Sequence, residues 1–258
     1  MCRHLAHVGP RPVTLASRVT EPAHSLLVQA YAPADMRGGG TVNADGFGVG
    51  WLGEDDGTGP PAAHLYRQAV PMWTDASFLD LATGVRSTSF VAAVRSATVG
   101  MPVSVQACAP FRDGPRIFSH NGVVRGFPGS LADLASDLDT ATLMTLEAPT
   151  DSAVLWALVR RHLDAGKDPA DAVLDVVTRT LAAAPGSRLN LLLLTVDERG
   201  EATLVATAVD HALSYRTGPS GVTVASEPLD DDPAWTAVPD LSLVVVRGRA
   251  VPEVTSLT

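Results

Sequence analysis

The sequence begins with Met1-Cys2-Arg3-His4-Leu5. Removal of Met1 would leave Cys2 as the N-terminal residue, so that one residue carries both a thiol and a free α-amine. The unperturbed pKa is about 8.5 for the thiol and about 7.7–8.0 for the amine, which suits the two groups to passing a proton between them. An N-terminal amine that acts as base for its own side chain is a known way to activate a nucleophile. The alternative is that Cys2 is a small buried hydrophobe, the more frequent role of a cysteine.

Residues 2–8 alternate loosely in polarity, which predicts a strand that places Cys2 at the mouth of a sheet. The other predicted strands cover residues 47–52, 63–69, 89–95, 116–120, 189–196, 202–209, 213–216, 222–225 and 243–247, and the predicted helices cover 23–31, 75–85, 129–138, 152–164 and 170–183. Residues 98–115 are predicted to be irregular, and the glycines of Phe47-Gly48-Val49-Gly50 indicate close approach of another backbone. Strands at both ends with helices between them predict one domain over residues 1–258, with sheets packed on each other and helices outside.

The composition favours a globular protein and argues against several functions. At 258 residues and 46% hydrophobic content the chain can bury a substantial core. A formal net charge of -9 argues against binding to nucleic acid or to an anionic membrane surface. The N-terminal stretch lacks a signal-peptide pattern, and no apolar run approaches the roughly 20 residues that cross a bilayer, so we expect a cytoplasmic protein. Two cysteines and scattered histidines show no zinc-ligand spacing, so neither a metal nor another cofactor is expected.

Several other motifs have ordinary structural explanations when each is taken alone. Asn121-Gly122 after a strand is a hairpin signal, and an Arg at a strand end, such as Arg95, is typical of a surface or paired structural charge. Asp151 precedes an apolar helical run, where capping of the helix N-terminus is the common role. Gly38-Gly39-Gly40 lacks the Gly-Lys-Ser/Thr ending of a phosphate loop and is typical of a mobile surface loop. Cys108 has no assigned motif and is interpreted as structural.

Taken together, five motifs in order resemble those of the class II glutamine amidotransferase family, whose members use an N-terminal nucleophile. The motifs are Met1-Cys2-Arg3-His4, Asn43-Ala44-Asp45-Gly46-Phe47-Gly48-Val49-Gly50-Trp51, Val94-Arg95-Ser96-Ala97-Thr98, Ser119-His120-Asn121-Gly122-Val123-Val124 and Pro149-Thr150-Asp151-Ser152. Their order and spacing match over residues 1 to about 160. The chain departs from many members at Ala93, where they have His, and at Ala153, where they have Glu.

The resemblance implies an α+β fold, the four-layer αββα sandwich of the N-terminal nucleophile hydrolases, with Cys2 at the edge of one sheet. It also implies that the Cys2 thiolate attacks a γ-glutamyl carbonyl and forms a thioester, which water then hydrolyses. The side-chain amide of Asn121 and the backbone N–H of Gly122 would form the oxyanion hole. Neutral donors fixed before charge develops are what a tetrahedral oxyanion needs.

The same resemblance assigns the residues that would recognise the glutamyl group. Arg95 would bind its α-carboxylate and Asp151 its α-ammonium, and Thr98 would also contact the substrate. The planar fork of Arg suits a carboxylate, and an acid at a helix start is stabilised in its charged form by the helix dipole. Since no His is paired with Cys2 in the motifs, the α-amine is left as the general base and acid.

Within the family, these motifs and Tyr31-Ala32-Pro33 resemble the amidohydrolases of ergothioneine biosynthesis. That resemblance implies a stand-alone enzyme that removes glutamate from γ-glutamyl-hercynylcysteine sulfoxide. The leaving group carries a trimethylammonium, for which aromatic faces or carboxylates are suited. The candidate aromatic residues are Tyr31, Trp51, Trp73, Phe111 and Phe127. Two alternatives stay open: a glutaminase subunit that supplies ammonia to a separate synthase, and a non-catalytic binding module of the same fold.

Overall fold

The computed structural model describes residues 2–35, 42–53, 61–248 and 251–257. Met1, the Gly38–Gly40 loop and most of the Gly/Pro-rich segment 53–61 lie outside the described residues. The strands are β1 (Arg3–Thr14), β2 (Phe47–Leu52), β3 (Ala63–Gln68), β4 (Arg86–Val94), β5 (Phe111–Asp113), β6 (Arg116–Val123), β7 (Arg188–Val196), β8 (Ala202–Ala208), β9 (Ser214–Gly218), β10 (Gly221–Ala225), β11 (Thr236–Ala237), β12 (Ser242–Arg247) and β13 (Glu253–Ser256). The α-helices are α1 (Ala16–Val19), α2 (Leu26–Tyr31), α3 (Ala76–Gly84), α4 (Ala132–Ala135), α5 (Thr140–Met144), α6 (Asp151–Asp164) and α7 (Pro169–Ala183), and 3₁₀ turns cover Met72–Thr74, Val105–Ala107 and Gly129–Leu131.

Two antiparallel sheets face each other across an apolar layer. The strand order is β11-β9-β10-β1-β4-β2-β3 in the first sheet and β13-β12-β8-β7-β6-β5 in the second. Helices α1, α2 and α3 pack on the outer face of the first sheet, and α6 and α7 pack on the outer face of the second. The four-layer αββα sandwich of the α+β class is therefore confirmed.

Side-chain alternation along β1 decides which way the nucleophile candidate faces. Leu5 packs with the outer helices, whereas Ala6 packs between the two sheets. His4 belongs to the same row as Ala6, since its Nδ1 lies 3.0 Å from the Oγ of Ser119 on β6. Successive side chains of a strand point to opposite faces. Cys2 continues the row of His4, so its side chain is directed toward the gap between the sheets.

The strands that carry two of the predicted site residues meet at one end of the first sheet. Arg3 at the start of β1 pairs with Val94 at the end of β4, and Val94 also pairs with Phe47 at the start of β2. The residue before β1 is Cys2 and the residue after β4 is Arg95, so the two lie side by side at this end. The predicted position of Cys2 at the mouth of a sheet is confirmed.

The predicted close approach of another backbone is confirmed at Gly48, whereas Gly50 is approached closely by a side chain of the facing sheet. A Cβ added to Gly48 would lie 2.6 Å from the carbonyl oxygen of Ala109. A Cβ added to Gly50 would lie 2.9 Å from the Cγ2 of Ile117 in the facing sheet. Side chains larger than hydrogen at Gly48 and Gly50 would push the two sheets apart.

Some predicted elements were wrong in extent or type. The strand predicted at 2–8 continues to Thr14. The helix predicted at 129–138 is instead a 3₁₀ turn followed by the short helix α4. Residues 98–115, predicted to be irregular, contain β5, which forms because it pairs with β6 as an antiparallel edge strand. Such pairing depends on the partner strand and overrides local preference.

Three features of the described residues bear on the class of function. No helix there is both long and apolar enough to cross a bilayer. No group of three or more described His, Cys, Asp or Glu side chains is arranged to hold a metal ion. Cys2 and Cys108 are both free thiols.

The stability of the fold is expected to fall as the pH is lowered below 6.5, because His7 is fully buried beside Phe90. Burial, and secondly the charge of Arg18, lowers the pKa of His7 from 6.5 to about 3. The unfolded chain therefore binds one more proton than the folded protein between these values, so stability present above pH 6.5 is lost as the pH falls toward 3. One such group changes the free energy of unfolding by about 1.4 kcal/mol for each pH unit.

Urea unfolding of the parent protein and of His7→Gln at pH 7, 6 and 5 checks this prediction. The variant should lose stability less steeply, by about 1 kcal/mol per pH unit. His24→Gln, at an exposed histidine, is the matched control and should keep the parent slope. Equal slopes for His7→Gln and the parent protein would contradict the prediction.

Candidate active site

Cys2 lies directly before β1 and is half-buried. Its Sγ lies 3.6 Å from the carbonyl oxygen of Ser96, the residue that follows Arg95. Its own carbonyl oxygen accepts a hydrogen bond of 2.9 Å from Nη1 of Arg3. The backbone and the thiol of the candidate nucleophile are thus both tied to groups at this end of the first sheet.

A small cavity brings most of the predicted site residues together. Its volume is about 30 Å³, and its lining includes Cys2, Arg95, Thr98, Gly122 and Asp151. Cys2 directly precedes β1, Arg95 and Thr98 follow β4, Gly122 lies in β6 and Asp151 begins α6, so the cavity lies where both sheets and one outer helix meet. A cysteine, an arginine and an aspartate therefore line one cavity.

Arg95 is fixed by the turn that contains Asp45. The N–H of Arg95 donates to the carbonyl oxygen of Gly46 (2.7 Å), and the N–H of Asp45 donates to the carbonyl oxygen of Arg95 (2.9 Å). The carboxylate of Asp45 accepts the N–H of Ala97 (2.7 Å). One guanidinium nitrogen of Arg95 donates to the carbonyl oxygen of Pro102 (2.8 Å). Because a guanidinium carries five N–H groups, this bond orients the fork and leaves donors for a carboxylate.

Asp151 is the first residue of α6, and its side chain is almost fully buried. Oδ2 accepts the N–H of Val124 (2.9 Å) and Oδ1 accepts the N–H of Ser152 (2.8 Å). The N-cap of α6 is Thr150, whose Oγ1 accepts the N–H of Ala153 (3.2 Å). The capping interpretation of Asp151 is therefore wrong, because the preceding residue fills that role. The Asp151 carboxylate instead lines the cavity at the positive end of the helix dipole.

Asn121 is fully buried and is not part of the cavity lining. Its side-chain nitrogen donates to the Oγ of Ser226 (3.1 Å). The same Oγ is bonded to the backbone N–H (3.0 Å) and the carbonyl oxygen (3.1 Å) of His4. An amide nitrogen carries two N–H groups, so this contact orients the Asn121 amide and uses only one of its donors.

Asn121 and Gly122 lie within β6 and pair with Asn190 and Leu189 of β7. The hairpin interpretation of this dipeptide is therefore wrong, since pairing with a distant strand overrides the local turn preference. Gly122 is required by packing at this position. A Cβ there would lie 1.9 Å from the carbonyl oxygen of Arg188.

Replacing Gly122 with alanine should push β6 away from β7 and destabilise the protein by about 1–3 kcal/mol or more, the usual range for overpacking. The free energy of unfolding measured in urea checks this prediction. Gly84→Ala, at a glycine whose added Cβ would have open space, is the matched control and should change stability much less. A Gly122→Ala protein as stable as the parent would contradict the packing argument.

No protein-family model matches the chain. The chain is 40% identical over 256 residues to the gamma-glutamyl-hercynylcysteine sulfoxide hydrolase of Mycolicibacterium smegmatis, covering 97% of this chain and 98% of that protein. It is 40% identical over 254 residues to the protein of the same name from Mycobacterium tuberculosis, covering 97% of this chain and 95% of that protein. A probable glutamine amidotransferase of Saccharomyces cerevisiae is 32% identical over 173 residues, which are 66% of this chain and 48% of that protein.

The chain belongs to the family of the gamma-glutamyl-hercynylcysteine sulfoxide hydrolases. Solved structures show its fold. A glutamine aminotransferase class-II domain protein from Silicibacter pomeroyi superposes with a TM-score of 0.67 at 24% identity, covering both chains completely. A second structure with this fold is glutamine phosphoribosylpyrophosphate amidotransferase from B. subtilis, with a TM-score of 0.60 at 13% identity over 100% of this chain and 49% of that one.

A buried ion pair that the sequence did not indicate holds the backbone of Cys2. Arg3 donates through Nε to Glu227 (2.5 Å), and its other nitrogens donate to the carbonyl oxygens of Cys2 and Asp35. Glu227 in turn accepts the N–H groups of Ala34 (2.8 Å) and Asp35 (3.2 Å). One charged pair thus joins the Cys2 backbone to the segment that precedes residue 36. We refer to Arg3 and Glu227 below as the Arg3–Glu227 clamp.

The histidines near the site do not offer a base to Cys2. His120 has Nε2 3.0 Å from the carbonyl oxygen of Arg188, so Nε2 carries the proton and Nδ1 accepts from the Oγ of Ser152 (3.0 Å). Burial, followed by the charges of His211, His120 and Arg3, lowers the pKa of His4 well below its usual value. Among the described residues, no histidine is hydrogen-bonded to the Cys2 thiol, whose contact is with Ser96.

A much larger cleft, of about 840 Å³, lies at the far end of β1 from Cys2. Its lining includes Gly9, Arg86, Ser87 and Glu201 and none of the predicted site residues. Arg86 donates there to the carbonyl oxygen of Pro12, and Ser87 donates to that of Leu52. These two polar side chains are engaged in backbone contacts and no predicted site residue lines the cleft, so the candidate active site is the small cavity at Cys2.

Proposed function

We propose that this protein hydrolyses the γ-glutamyl amide bond of γ-glutamyl-hercynylcysteine sulfoxide, giving glutamate and hercynylcysteine sulfoxide. The observation that carries the proposal is the cavity that Cys2, Arg95 and Asp151 line together. The substrate is taken from the mycobacterial relatives that are 40% identical over nearly the whole chain. Two free cysteines support a reducing location, and we place the reaction in the cytoplasm.

The reaction begins once Met1 has been removed. The Cys2 amine takes the thiol proton and the thiolate attacks the γ-carbonyl carbon, which forms the C–S bond and an oxyanion. The backbone N–H of Gly122, which lines the cavity, stabilises that oxyanion, and the second amide N–H of Asn121 joins it once the bound substrate brings the carbonyl oxygen to this neighbouring side chain. The protonated amine then gives its proton to the leaving nitrogen as the C–N bond breaks. Water, deprotonated by the same amine, hydrolyses the thioester and releases glutamate.

Recognition of the glutamyl group uses the two charged groups of the cavity. The Arg95 fork binds the α-carboxylate, and Asp151, held by the N–H groups of Val124 and Ser152, binds the α-ammonium. Thr98 lies beside them in the same lining.

Replacing Arg95 with lysine should raise KM by about tenfold and change kcat little. A point charge replaces a planar fork, and the carboxylate loses one of two parallel hydrogen bonds. Steady-state kinetics with the γ-glutamyl substrate checks this. Arg86→Lys, at the far end of β4, is the matched control and should keep the parent KM. An unchanged KM for Arg95→Lys would count against its role with the carboxylate.

A glutaminase that supplies ammonia is the second candidate, favoured by the partial match to a probable glutamine amidotransferase. A competition assay distinguishes the two functions. Glutamine and several γ-glutamyl amides are offered together to the purified protein, and the products are identified by mass. Preferential cleavage of γ-glutamyl-hercynylcysteine sulfoxide supports the proposal, whereas preferential release of ammonia from glutamine contradicts it.

A further inference from the structure

Two residues directly after β10, Ser226 and Glu227, lie against the start of β1. The antiparallel register between β10 and β1 holds up to the last residue of β10. Continuing this register places Ser226 opposite His4 and Glu227 opposite Arg3. Because successive side chains of a strand point to opposite faces, Ser226 and Glu227 act on opposite sides of the first sheet.

On the inner face, the Ser226 hydroxyl joins the start of β1 to the candidate oxyanion donor. Its Oγ accepts the N–H of His4 (3.0 Å) and one N–H of the Asn121 amide (3.1 Å), and it donates to the carbonyl oxygen of His4 (3.1 Å). A hydroxyl has one donor and two acceptor positions, so these contacts use all three. The backbone two residues after Cys2 therefore sets the orientation of the Asn121 amide.

On the outer face, where Leu5 of the same row packs with the helices, Glu227 orients the guanidinium of Arg3. Oε1 accepts from Nε of Arg3 (2.5 Å), and the two carboxylate oxygens also accept the N–H groups of Ala34 (2.8 Å) and Asp35 (3.2 Å). Arg3 and Glu227 are 1% and 5% exposed. An unpaired charge at either buried position would be strongly unfavourable, so the pair keeps one geometry.

Cys2 depends on this guanidinium because it lies beyond the paired part of β1. The register between β1 and β4 begins at Arg3. After removal of Met1, Cys2 is a chain terminus, and termini are poorly ordered unless contacts hold them. The bond of 2.9 Å from Nη1 of Arg3 to the carbonyl oxygen of Cys2 supplies such a contact. It fixes the peptide plane after Cys2 and thereby narrows the directions that the amine and the thiol can take.

We propose, building on the proposed function, that Glu227 is a positioning residue for the nucleophile. Through Arg3 it holds Cys2 from the outer side of the sheet, while Ser226 holds Asn121 from the inner side. Adjacent residues of one strand end thus set the position of the attacking thiol relative to the oxyanion donor. Neither Glu227 nor Ser226 lines the cavity, so both act through other residues. Displacing a reacting group by about 1 Å can lower a rate by about 10²-fold.

The test replaces both members of the Arg3–Glu227 clamp with methionine. Removing one member would leave a buried charge unpaired, whereas replacing both by apolar side chains often preserves stability. Arg3→Met/Glu227→Met should lower kcat for γ-glutamyl-hercynylcysteine sulfoxide by about 10²-fold and change KM less than about threefold. KM is kept because Arg95 and Asp151 are held by other contacts. The kinetics are measured at a temperature where circular dichroism shows the variant to be folded.

A second measurement reports the alignment of Cys2 without turnover. Cys2 is alkylated in separate samples by a glutamine analogue, which Arg95 and Asp151 have to orient, and by iodoacetamide, which needs no such orientation. Peptide mapping follows both reactions at Cys2. The ratio of the rate constant with the analogue to that with iodoacetamide should fall at least about tenfold in the double variant. A change in the exposure of the thiol alone affects both reagents and leaves this ratio near the parent value.

A conservative variant and a matched control accompany the double variant. Glu227→Gln keeps the length of the side chain and one acceptor oxygen for Nε of Arg3, so kcat should stay within about tenfold of the parent. Arg179→Met/Asp137→Leu removes an ion pair of 2.7 Å between α7 and the segment after α4. This control should keep the parent kcat and the parent alkylation ratio.

The link between the two sides of the sheet is tested by adding Ser226→Ala to the double variant. A displaced thiol no longer brings the oxyanion to Asn121, so loosening that amide should then cost little more. The combined loss in kcat should therefore be smaller than the product of the separate losses. A combined loss equal to that product would overturn the shared alignment.

Three results would overturn the positioning role of Glu227: a double variant with the parent kcat, a loss confined to KM, or an unchanged alkylation ratio. A Glu227→Gln protein that falls as far as the double variant would do the same, since the charge and not the geometry would then be decisive. The alkylation ratio does not depend on which amide is the substrate. A parent enzyme that reacts with the analogue at Cys2 but does not cleave γ-glutamyl-hercynylcysteine sulfoxide would overturn the proposed function and leave the test of the clamp intact.

Discussion

Replacing Cys2 with alanine is expected to lower kcat by at least about 10⁴-fold, the scale seen when a nucleophile that works as a unit with its base is removed. No other described thiol can substitute, since Cys108 is fully buried. Its Sγ lies 3.3 and 3.4 Å from the carbonyl oxygens of Ser104 and Gln68. Burial also raises the pKa of the Cys108 thiol and keeps it protonated.

Substrate binding should survive this change. Arg95 and Asp151 are held by backbone groups and not by the thiol, so Cys2→Ala should bind γ-glutamyl-hercynylcysteine sulfoxide with about the parent affinity. Single-turnover assays measure the loss of chemistry, and calorimetry measures the binding. Cys108→Ala is the matched control and should lose less than about tenfold in kcat. Turnover by Cys2→Ala at the parent rate would remove Cys2 from the mechanism.

Replacing Asn121 with alanine is expected to lower kcat by about 10²–10³-fold while KM changes little, as for other oxyanion donors. The amide stabilises the carbonyl oxygen only when negative charge develops on that oxygen. Loss of the amide therefore raises the free energy of the transition state and leaves that of the bound substrate nearly unchanged. Steady-state kinetics over a range of substrate concentrations separates the two parameters. A rise in KM with an unchanged kcat would place Asn121 in ground-state binding instead.

Replacing Ser226 tests the same contact with a smaller expected effect. Its Oγ accepts one N–H of the Asn121 amide (3.1 Å). Ser226→Ala should free the amide to rotate and lower kcat by about tenfold, less than the loss of the donor itself. An effect of Ser226→Ala as large as that of Asn121→Ala would mean that Ser226, and not Asn121, contributes the decisive contact.

Local sequence patterns predicted those features of the site that depend on a single strand. The alternation of residues 2–8 identified β1 and the place of Cys2 at the mouth of a sheet. The glycines at 48 and 50 indicated the close packing of β2. These two features could be predicted from the sequence because side-chain alternation in a strand, and the close packing that a glycine permits, both depend on only a few neighbouring residues.

Contacts between distant residues could not be predicted in this way. Arg3 and Glu227 are 224 positions apart, and nothing near either one indicates the other. Asn121-Gly122 has the composition of a turn, but pairing with β7 keeps it in a strand. Which aromatic side chains are buried likewise depends on tertiary packing, as the buried Phe111 and the exposed Tyr31 illustrate.

The most direct test of the account is the mass of the active protein after reaction with an alkylating glutamine analogue, followed by peptide mapping. The account predicts a mature chain that lacks Met1 and carries one label, on the thiol of Cys2, with loss of activity in proportion to labelling. An active protein that retains Met1, or one that is inactivated by a label at another residue, would contradict it.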